Sequence, residues 1–353
     1  MSRTFSGHIH IFHAFDIGED IDLELIKQKQ TLMRRPLIPS KYFKNYHKPL
    51  LVELPHPHAT SFCESVKLYP FGVVSLHYKV PFNSTLEKLR KDIAQIDNEY
   101  REQGVNDASM IYKSIEAAVK KPTFFHISKS YLIIQLDTME ELSGKQVAEE
   151  FGGMIVSILR FEDEQLSEHK KDDILKGAFG YYRGDLIVID TDAAFLYDDE
   201  FEEALDLFEF VNIQHLELQY FDRILDKQLT QAYNRGNQPP KLKEYMPFWG
   251  TLNLTSVDNL GMLKVEISVI TERLENSIKL AGEPYYSELY AALSTVLDLE
   301  NWKVSIERKL TIVRDISSLY ESRAQTIRED IFNVLITVLI FMELIVGIIH
   351  LIP

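Results

Sequence analysis

The sequence predicts an α+β protein in which a mixed-sheet body is followed by a long antiparallel helical hairpin and a single C-terminal transmembrane helix. Three observations support this prediction. In the first half, strand-like and helix-like apolar patterns intermix without a regular βαβ rhythm or an internal repeat. Further on, two apolar stripes with helical spacing flank a Gly-Glu-Pro stop, and the chain ends in a long apolar run. We therefore expect four segments: an α+β body over 1–190, an acidic amphipathic helix with a Pro/Gly linker over 191–240, a helical hairpin stalk over 241–330, and a transmembrane anchor over 331–353.

The composition is that of an ordinary globular protein. Of the 353 residues, 45% are hydrophobic and 26% are charged, which excludes a fully disordered chain and a collagen-like repeat. The single Cys63 excludes an internal disulfide and favours a reducing compartment for the folded part. The net charge of −15 argues against a protein that coats DNA by neutralising its phosphates.

The elements of the body are predicted from apolar periodicity. Alternating apolar residues predict strands, and apolar residues at steps of three and four predict helices. Pro70 divides one strand-like region into two strands. The predicted strands lie at 7–15, 66–78 as the pair divided at Pro70, 124–127 and 131–136 as a hairpin turning at 128–130, and 186–190; the predicted helices begin near 23 and cover 84–102, 145–160 and 193–235.

The stalk is predicted from two apolar stripes. The first covers 260–278, and Gly282 and Pro284 are suited to end one helix and begin the next. The second helix starts near Tyr285 and runs into the final segment along a coiled-coil-like seam with one irregular step: Trp302, Ile306, Leu310, Val313, Ser317, Tyr320, Ala324, Ile327, Ile331, Val334 and Val338. The short connection favours the hairpin's own first arm as the partner of this seam, and a second subunit is the alternative.

The final segment gives the strongest prediction. Residues 331–353 contain one Glu and no Lys, Arg or Asp, and their helical length of about 35 Å exceeds a hydrocarbon core of about 30 Å. A buried core helix is the competing interpretation, but apolar side chains surround the whole axis. Basic residues precede the segment, so the positive-inside rule places the N-terminal body on the cytoplasmic side: Arg308, Lys309, Arg314, Arg323 and Arg328. Because the N-terminus has no signal- or transit-peptide pattern, we expect a single-pass, tail-anchored protein.

Glu343 and His350 lie inside this apolar segment. A charged carboxylate without a partner costs several kcal/mol at membrane depth. Glu343 is therefore a candidate intramembrane contact that fixes the association of helices. The alternative is a tolerated residue close to the far headgroups.

A basic segment occupies residues 27–48, in a stretch that contains no acid. Basic and aromatic side chains interleave there, and its candidate RNA- or lipid-binding residues are Arg34, Arg35, Lys41, Tyr42, Lys44 and Lys48. Such side chains bind phosphates and stack on RNA bases, or contact anionic lipid headgroups. A solvated loop that balances the acidic helix is the third interpretation.

Acids and histidines are the remaining candidates for a site of chemistry. The stretch 184–222 contains twelve acids and no Lys or Arg. Acids in the first turns of a helix interact favourably with its dipole, and an acidic surface could also bind a basic partner. Asp190 and Asp192 could instead bind a divalent ion. Two H-x-H pairs, His8 with His10 and His56 with His58, could each give two imidazoles to one zinc. No H-E-x-x-H, P-loop, G-x-G-x-x-G, G-x-S-x-G or C-x-x-C signature accompanies them. We therefore expect no enzyme, with no catalytic or metal-binding residue, no cofactor and no small-molecule substrate.

The order of segments resembles a known family. A strand leads into FDIGEDIDLELI, followed by YPFGVVSLHYKVP, a long amphipathic helix, and YYSELYAALSTVLDLENWKVSIERKLTIVRDISSLYESR running into LITVLIFMELIVGII. This order resembles the family named "required for meiotic nuclear division" over roughly residues 8–350. The match is best in the C-terminal third, at Tyr286, Leu289, Leu293, Arg308, Leu310 and the segment with Glu343. The resemblance implies a membrane-anchored, self-associating, non-enzymatic factor, and its mitochondrial members are tied to organelle translation.

The sequence thus predicts a tail-anchored membrane scaffold. Its expected partners are the membrane, further copies of the same chain, and a protein or ribosome/RNA partner. The alternatives are an RNA- or lipid-binding factor acting through residues 27–48, and a metal-dependent hydrolase with its site around Asp190, Asp192 and the histidines.

Overall fold

The computed structural model describes residues 3–36, 49–56, 61–124, 128–164, 166–180, 184–236 and 284–351. The strands are β1 (Thr4–Asp16), β2 (Asp20–Ile21), β3 (Leu50–Val52), β4 (Cys63–Leu68), β5 (Val73–Thr85), β6 (Val119–Lys120), β7 (Ser128–Leu136), β8 (Leu186–Ile189) and β9 (Ala193–Tyr197). The helices are α1 (Leu23–Lys29), α2 (Leu86–Ile115), α3 (Gly144–Leu159), α4 (Glu168–Leu175), α5 (Glu202–Gly236), α6 (Pro284–Val296) and α7 (Leu299–Leu351). The predicted α+β class is confirmed.

A mixed sheet of seven strands organises the body, in the order β3-β4-β5-β1-β7-β9-β8. The pair β7–β9 is parallel, and the other neighbours are antiparallel. The central pair β1–β5 is in register from Thr4 opposite Thr85 to Asp16 opposite Val73. Because successive residues of a strand face opposite sides, β1 presents two different surfaces to the helices.

One face of the sheet carries the main apolar core. Ile9, Ile11 and Phe15 of β1 pack there with buried residues of α2 and α3, including Ile93 and Ile155. Both helices have well-defined N-termini: Thr85 accepts a hydrogen bond from the Lys88 amide, and Ser143 forms a capping box with Gln146. The other face lies beneath α5, where the Tyr131 and Phe208 rings stack.

The chain divides into two compact units. The first comprises residues 1–220 and 272–301, and the second comprises residues 221–271 and 302–353. In the second unit, Lys309 of α7 forms ion pairs with Asp222 and Asp226 of α5, at 2.7 and 2.6 Å. Of the predicted seam, Ile306 and Val313 are buried. The first arm of the predicted hairpin, 260–278, and the linker after Gly236 lie outside the described residues.

Several predicted elements need correction. Residues 193–197 form β9 rather than the start of a helix, because Ala193–Tyr197 pairs with both β7 and β8 and is buried on both faces. The helix begins later, at Glu202. Residues 128–130 are not a turn; they continue β7 and pair with β1 from His13 to Phe15.

Two helices also differ from the prediction in length. Helix α2 continues to Ile115, because Ala108 and Ile111 extend its buried face beyond residue 102. The helix predicted to run unbroken from Tyr285 is interrupted at Asp298, whose φ of 57° is incompatible with a right-handed helix. Beyond this break α7 is continuous.

Both outer strands of the sheet have short additional partners. At β3, Arg34 bridges Val52, and the Arg35 amide donates to the Leu51 carbonyl. At β8, Phe179 and Ile187 exchange two backbone hydrogen bonds of 3.0 and 2.7 Å. These contacts satisfy part of the backbone that an edge strand exposes.

Candidate functional site

The C-terminal half of α7 is a helix long and apolar enough to cross a membrane. The stretch Gln325–Ile348 covers 24 residues with a mean hydropathy of 2.5, and none of its most apolar part is buried. Large side chains are exposed around the axis; Val334 and Phe341 are each 63% exposed. An exposed apolar surface of this size is typical of an interaction or membrane site. Glu343 is exposed within this stretch.

A second candidate site is the polar layer, which we define as the buried polar side chains between α5 and the sheet. Helix α5 is buried on all sides over 207–218. Its Phe208 ring stacks on Tyr131 of β7, and its Gln214 accepts a hydrogen bond from Tyr290 of α6. Its polar residues in that range are therefore also inside. The members are Asp16, Lys67, Ser75, His10, His77, Glu209, Asn212 and Glu217.

Lys67 binds two acids of α5. Its ammonium group lies 2.9 Å from Asp206 Oδ1 and 2.5 Å from Glu209 Oε2. Asp206 and Glu209 are three residues apart and so share one side of the helix. Lys67 lies opposite Ser75 in the β4–β5 register, so the ion pairs hold α5 over this part of the sheet.

Two histidines of neighbouring strands bind each other in the same layer. His10 Nδ1 lies 2.9 Å from His77 Nε2, and Phe12 stacks on His77 with ring centres 4.4 Å apart. Burial lowers the pKa of His10 to about 3, and Lys79 and His8 add to the effect. Burial likewise lowers the pKa of His77 well below its ordinary value. Both rings are therefore neutral at pH 7, with one nitrogen donating and the other accepting.

A carboxyl pair lies at the other end of the layer. Burial raises the pKa of Glu217 well above its ordinary value, and the charge of Asp16 adds to the shift. Asp16 Oδ1 accepts a hydrogen bond from the Gly18 amide at 3.1 Å. The Glu217 carboxyl group therefore keeps its proton to a higher pH than an exposed glutamate does.

The histidines and acids whose spacing would allow metal binding contact other groups. His8 Nδ1 lies 3.3 Å from Gln135 Oε1, and His10 binds His77. Asp190 lies 2.5 Å from Arg160, and Asp192 lies 3.1 Å from Lys129. Within the described ranges, no three His, Cys, Asp or Glu residues are grouped so that they could hold a metal ion. His56 is described, but its predicted partner His58 lies outside the described residues.

The basic segment is described only at its N-terminal end. Arg34 and Arg35 line a cleft of about 560 Å³ beside β3. The Arg35 guanidinium donates to Glu53 Oε1 at 2.8 Å and to the Glu64 carbonyl at 3.1 Å, so its charge is partly neutralised. The other candidates lie outside the described residues: Lys41, Tyr42, Lys44 and Lys48.

Most of the polar layer was not predicted from the sequence. The acids of α5 were predicted to suit the helix dipole or a basic partner, yet Glu209 and Glu217 are each 1% exposed. One signal was available: between 205 and 218, apolar residues occupy every side of the helix, so no side remains for solvent. Lys67 carried no such signal, because its acidic partners are far away in sequence.

Comparison with known proteins identifies the family. The family model "Uncharacterized protein MJ0711, N-terminal domain" matches residues 6–203, which include the seven-stranded sheet except the first two residues of β1 and end at the start of α5. The uncharacterized protein MJ0711 of Methanocaldococcus jannaschii is 26% identical over 196 residues. The match covers 55% of this chain and 58% of that relative, so this chain spans less than two thirds of its length. No solved structure matches. Since the family model covers more than half of the chain, the protein belongs to the family of the MJ0711 N-terminal domain.

Proposed function

We propose that this protein is a tail-anchored membrane scaffold whose body faces the cytoplasm and recruits a protein or ribosome/RNA partner. The observation that carries the proposal is the uncovered apolar surface of α7 over Gln325–Ile348. Burying this surface in hydrocarbon removes it from water, and a continuous helix satisfies its own backbone groups there. The basic residues before it favour a cytoplasmic body, and they include Arg308, Lys309 and Arg314.

Membrane flotation of the full chain tests the anchor. Val338 lies near the middle of the apolar stretch and is 53% exposed. We expect the unaltered chain to float with vesicles and to resist alkaline extraction. Val338→Arg adds about 2.5–3.5 kcal/mol to the insertion free energy and should shift the chain to the soluble fraction. Val338→Leu is the matched control and should behave like the unaltered chain. Recovery of the unaltered chain as a soluble protein without detergent would contradict the proposal.

Orientation is tested separately in sealed vesicles. The vesicles are prepared with the cytoplasmic side of the membrane facing outward. A tag fused before Met1 should then be cleaved by added protease, because the body lies on the cytoplasmic side. Protection of the tag until detergent is added would place the body on the opposite side and overturn the orientation.

The basic segment 27–48 is the proposed site of recruitment. Arg34 lies exposed at the edge of the sheet, next to Arg35. Reversal of Arg34, Lys41 and Lys44 to Glu should abolish co-sedimentation with ribosomes or RNA if this segment binds phosphates. Unchanged co-sedimentation would show that the partner binds elsewhere.

A further inference from the structure

The apolar stretch of α7 carries its non-apolar residues on one side. Between 331 and 348 these residues are Asn333, Thr337, Glu343 and Gly347. At 3.6 residues per turn they fall within about 120° of the helix circumference. We call this strip, together with Ile336 and Ile340 between its members, the polar strip. The opposite side is entirely apolar and includes Val338, Met342 and Ile345.

Two members of the polar strip require partners outside their own helix. The Thr337 hydroxyl donates to the Asn333 carbonyl at 2.8 Å, which satisfies it locally. The side chains of Asn333 and Glu343 are both exposed. In hydrocarbon, a polar side chain without a partner is costly, and pairing across helices is the usual solution. Gly347 presents no side chain, and nothing lies within 4 Å of the position a Cβ would take, so another helix can approach closely there.

The side chains of the polar strip are chemically complementary to the same strip of a second copy of the chain. Copies of one single-pass protein insert in the same direction, so equivalent residues lie at the same depth. An amide is both donor and acceptor, and so is a protonated carboxyl group, so Asn333 and Glu343 can each pair with their own counterparts. Five of these six residues, all but Thr337, follow one another at alternating steps of three and four, as in a parallel helix pair: Asn333, Ile336, Ile340, Glu343 and Gly347.

We propose that the polar strip of α7 binds the same strip of a second copy of this chain, forming a parallel helix pair inside the membrane. This inference rests on the proposed membrane anchor and names a partner for it. Asn333 and Glu343 provide interhelical hydrogen bonds, Ile336 and Ile340 pack between them, and Gly347 permits close approach.

Disulfide cross-linking of the full chain in native membranes tests the inference. Cys63 is the single cysteine, so Cys63→Ser gives a background for introducing one cysteine at a time. We expect oxidation to produce covalent dimers from Ile336→Cys and Ile340→Cys. Val338→Cys and Met342→Cys are the matched controls on the opposite side and should give at least fivefold less dimer. Equal yields at all four positions, or no dimer at any of them, would overturn the inference.

The role of Glu343 is tested in the Ile340→Cys background. Glu343→Gln keeps a donor and an acceptor and should preserve the dimer yield. Glu343→Leu removes the hydrogen bond and should lower dimer formation about three- to tenfold, the range measured for interhelical hydrogen bonds. Equal yields from both variants would contradict a role for Glu343. Membrane-integrated chains that never cross-link contradict the helix pair alone, whereas chains absent from the membrane contradict both the pair and the anchor.

Discussion

Glu217 illustrates how a single buried residue links stability to pH. It is 1% exposed, and burial together with the charge of Asp16 raises its pKa. The folded protein therefore keeps this proton to a higher pH than the unfolded chain does. This proton contributes its full share to the free energy of unfolding below the ordinary pKa of 4.5. The contribution is lost as the pH rises through the raised pKa of Glu217 in the folded protein.

Glu217→Gln should therefore stabilise the protein at pH 8 and have little effect at pH 4. Between pH 4 and pH 8, the free energy of unfolding of the wild type should fall relative to that of the variant by up to about 1.4 kcal/mol per pH unit. Urea unfolding of the detergent-solubilised chain at several pH values measures this difference. Glu202→Gln, an exposed change on the same helix, is the control and should show no such slope. A pH-independent difference between wild type and Glu217→Gln would contradict the assignment.

Lys67 gives a second prediction at this scale. Lys67→Met leaves the Glu209 carboxylate buried without its cation and should destabilise the body by about 3–5 kcal/mol. The double variant Lys67→Met/Glu209→Met should recover most of that loss, because two apolar side chains replace the buried pair. A double-mutant cycle measured by chemical denaturation gives the coupling. Additive effects of the two changes would refute direct pairing.

At the scale of elements, the turn between β4 and β5 depends on one glycine. Gly72 has a φ of +93°, and a Cβ at this position would lie 1.7 Å from the Gly18 carbonyl oxygen. The Gly72 carbonyl also accepts a hydrogen bond from the Ile17 amide at 2.9 Å, so the turn and the end of β1 are held together.

Gly72→Ala should therefore lower the free energy of unfolding by about 2 kcal/mol or more, through both the strained backbone and the collision with Gly18. Thermal unfolding is a suitable measurement. Gly184→Ala is the matched control, since nothing lies within 4 Å of its Cβ position. Similar losses in the two variants would show that the close approach is unimportant.

The elements also show where periodicity predicts structure and where it does not. β1 and α3 were predicted within a few residues, because alternation and helical spacing are local properties. Ala193–Tyr197 was predicted as helix because its assignment depends on β7 and β8, which are remote partners. The acids of α5 were misplaced for a similar reason: their burial depends on what covers the helix from outside.

At the scale of the whole molecule, α6 belongs to the first unit although residues 237–283 separate it from α5 in the sequence. Leu289 and Leu293 are fully buried. The Tyr285 hydroxyl donates to Asp198 Oδ2, and the Tyr290 hydroxyl donates to Gln214 Oε1, both at 3.1 Å. The body therefore includes a helix that lies outside the segment matched by the family model.

A chain truncated after residue 236 should consequently be less stable than one truncated after residue 324, which keeps α6. Loss of the two buried leucines alone amounts to about 3 kcal/mol or more. Thermal unfolding and the yield of soluble protein compare the two. Equal unfolding temperatures would show that the body is complete without α6.

The paired outer strands have a consequence for the behaviour of many copies together. Newly made chains meet one another at high local concentration, and unpaired strand edges invite strand-by-strand addition into fibrous aggregates. Here the backbone of Arg34 and Arg35 pairs with β3, and the backbone of Phe179 forms hydrogen bonds with β8. Part of the backbone at each margin is thus already bonded within its own molecule, and we expect crowded copies of the body to stay separate rather than to polymerise through their sheets.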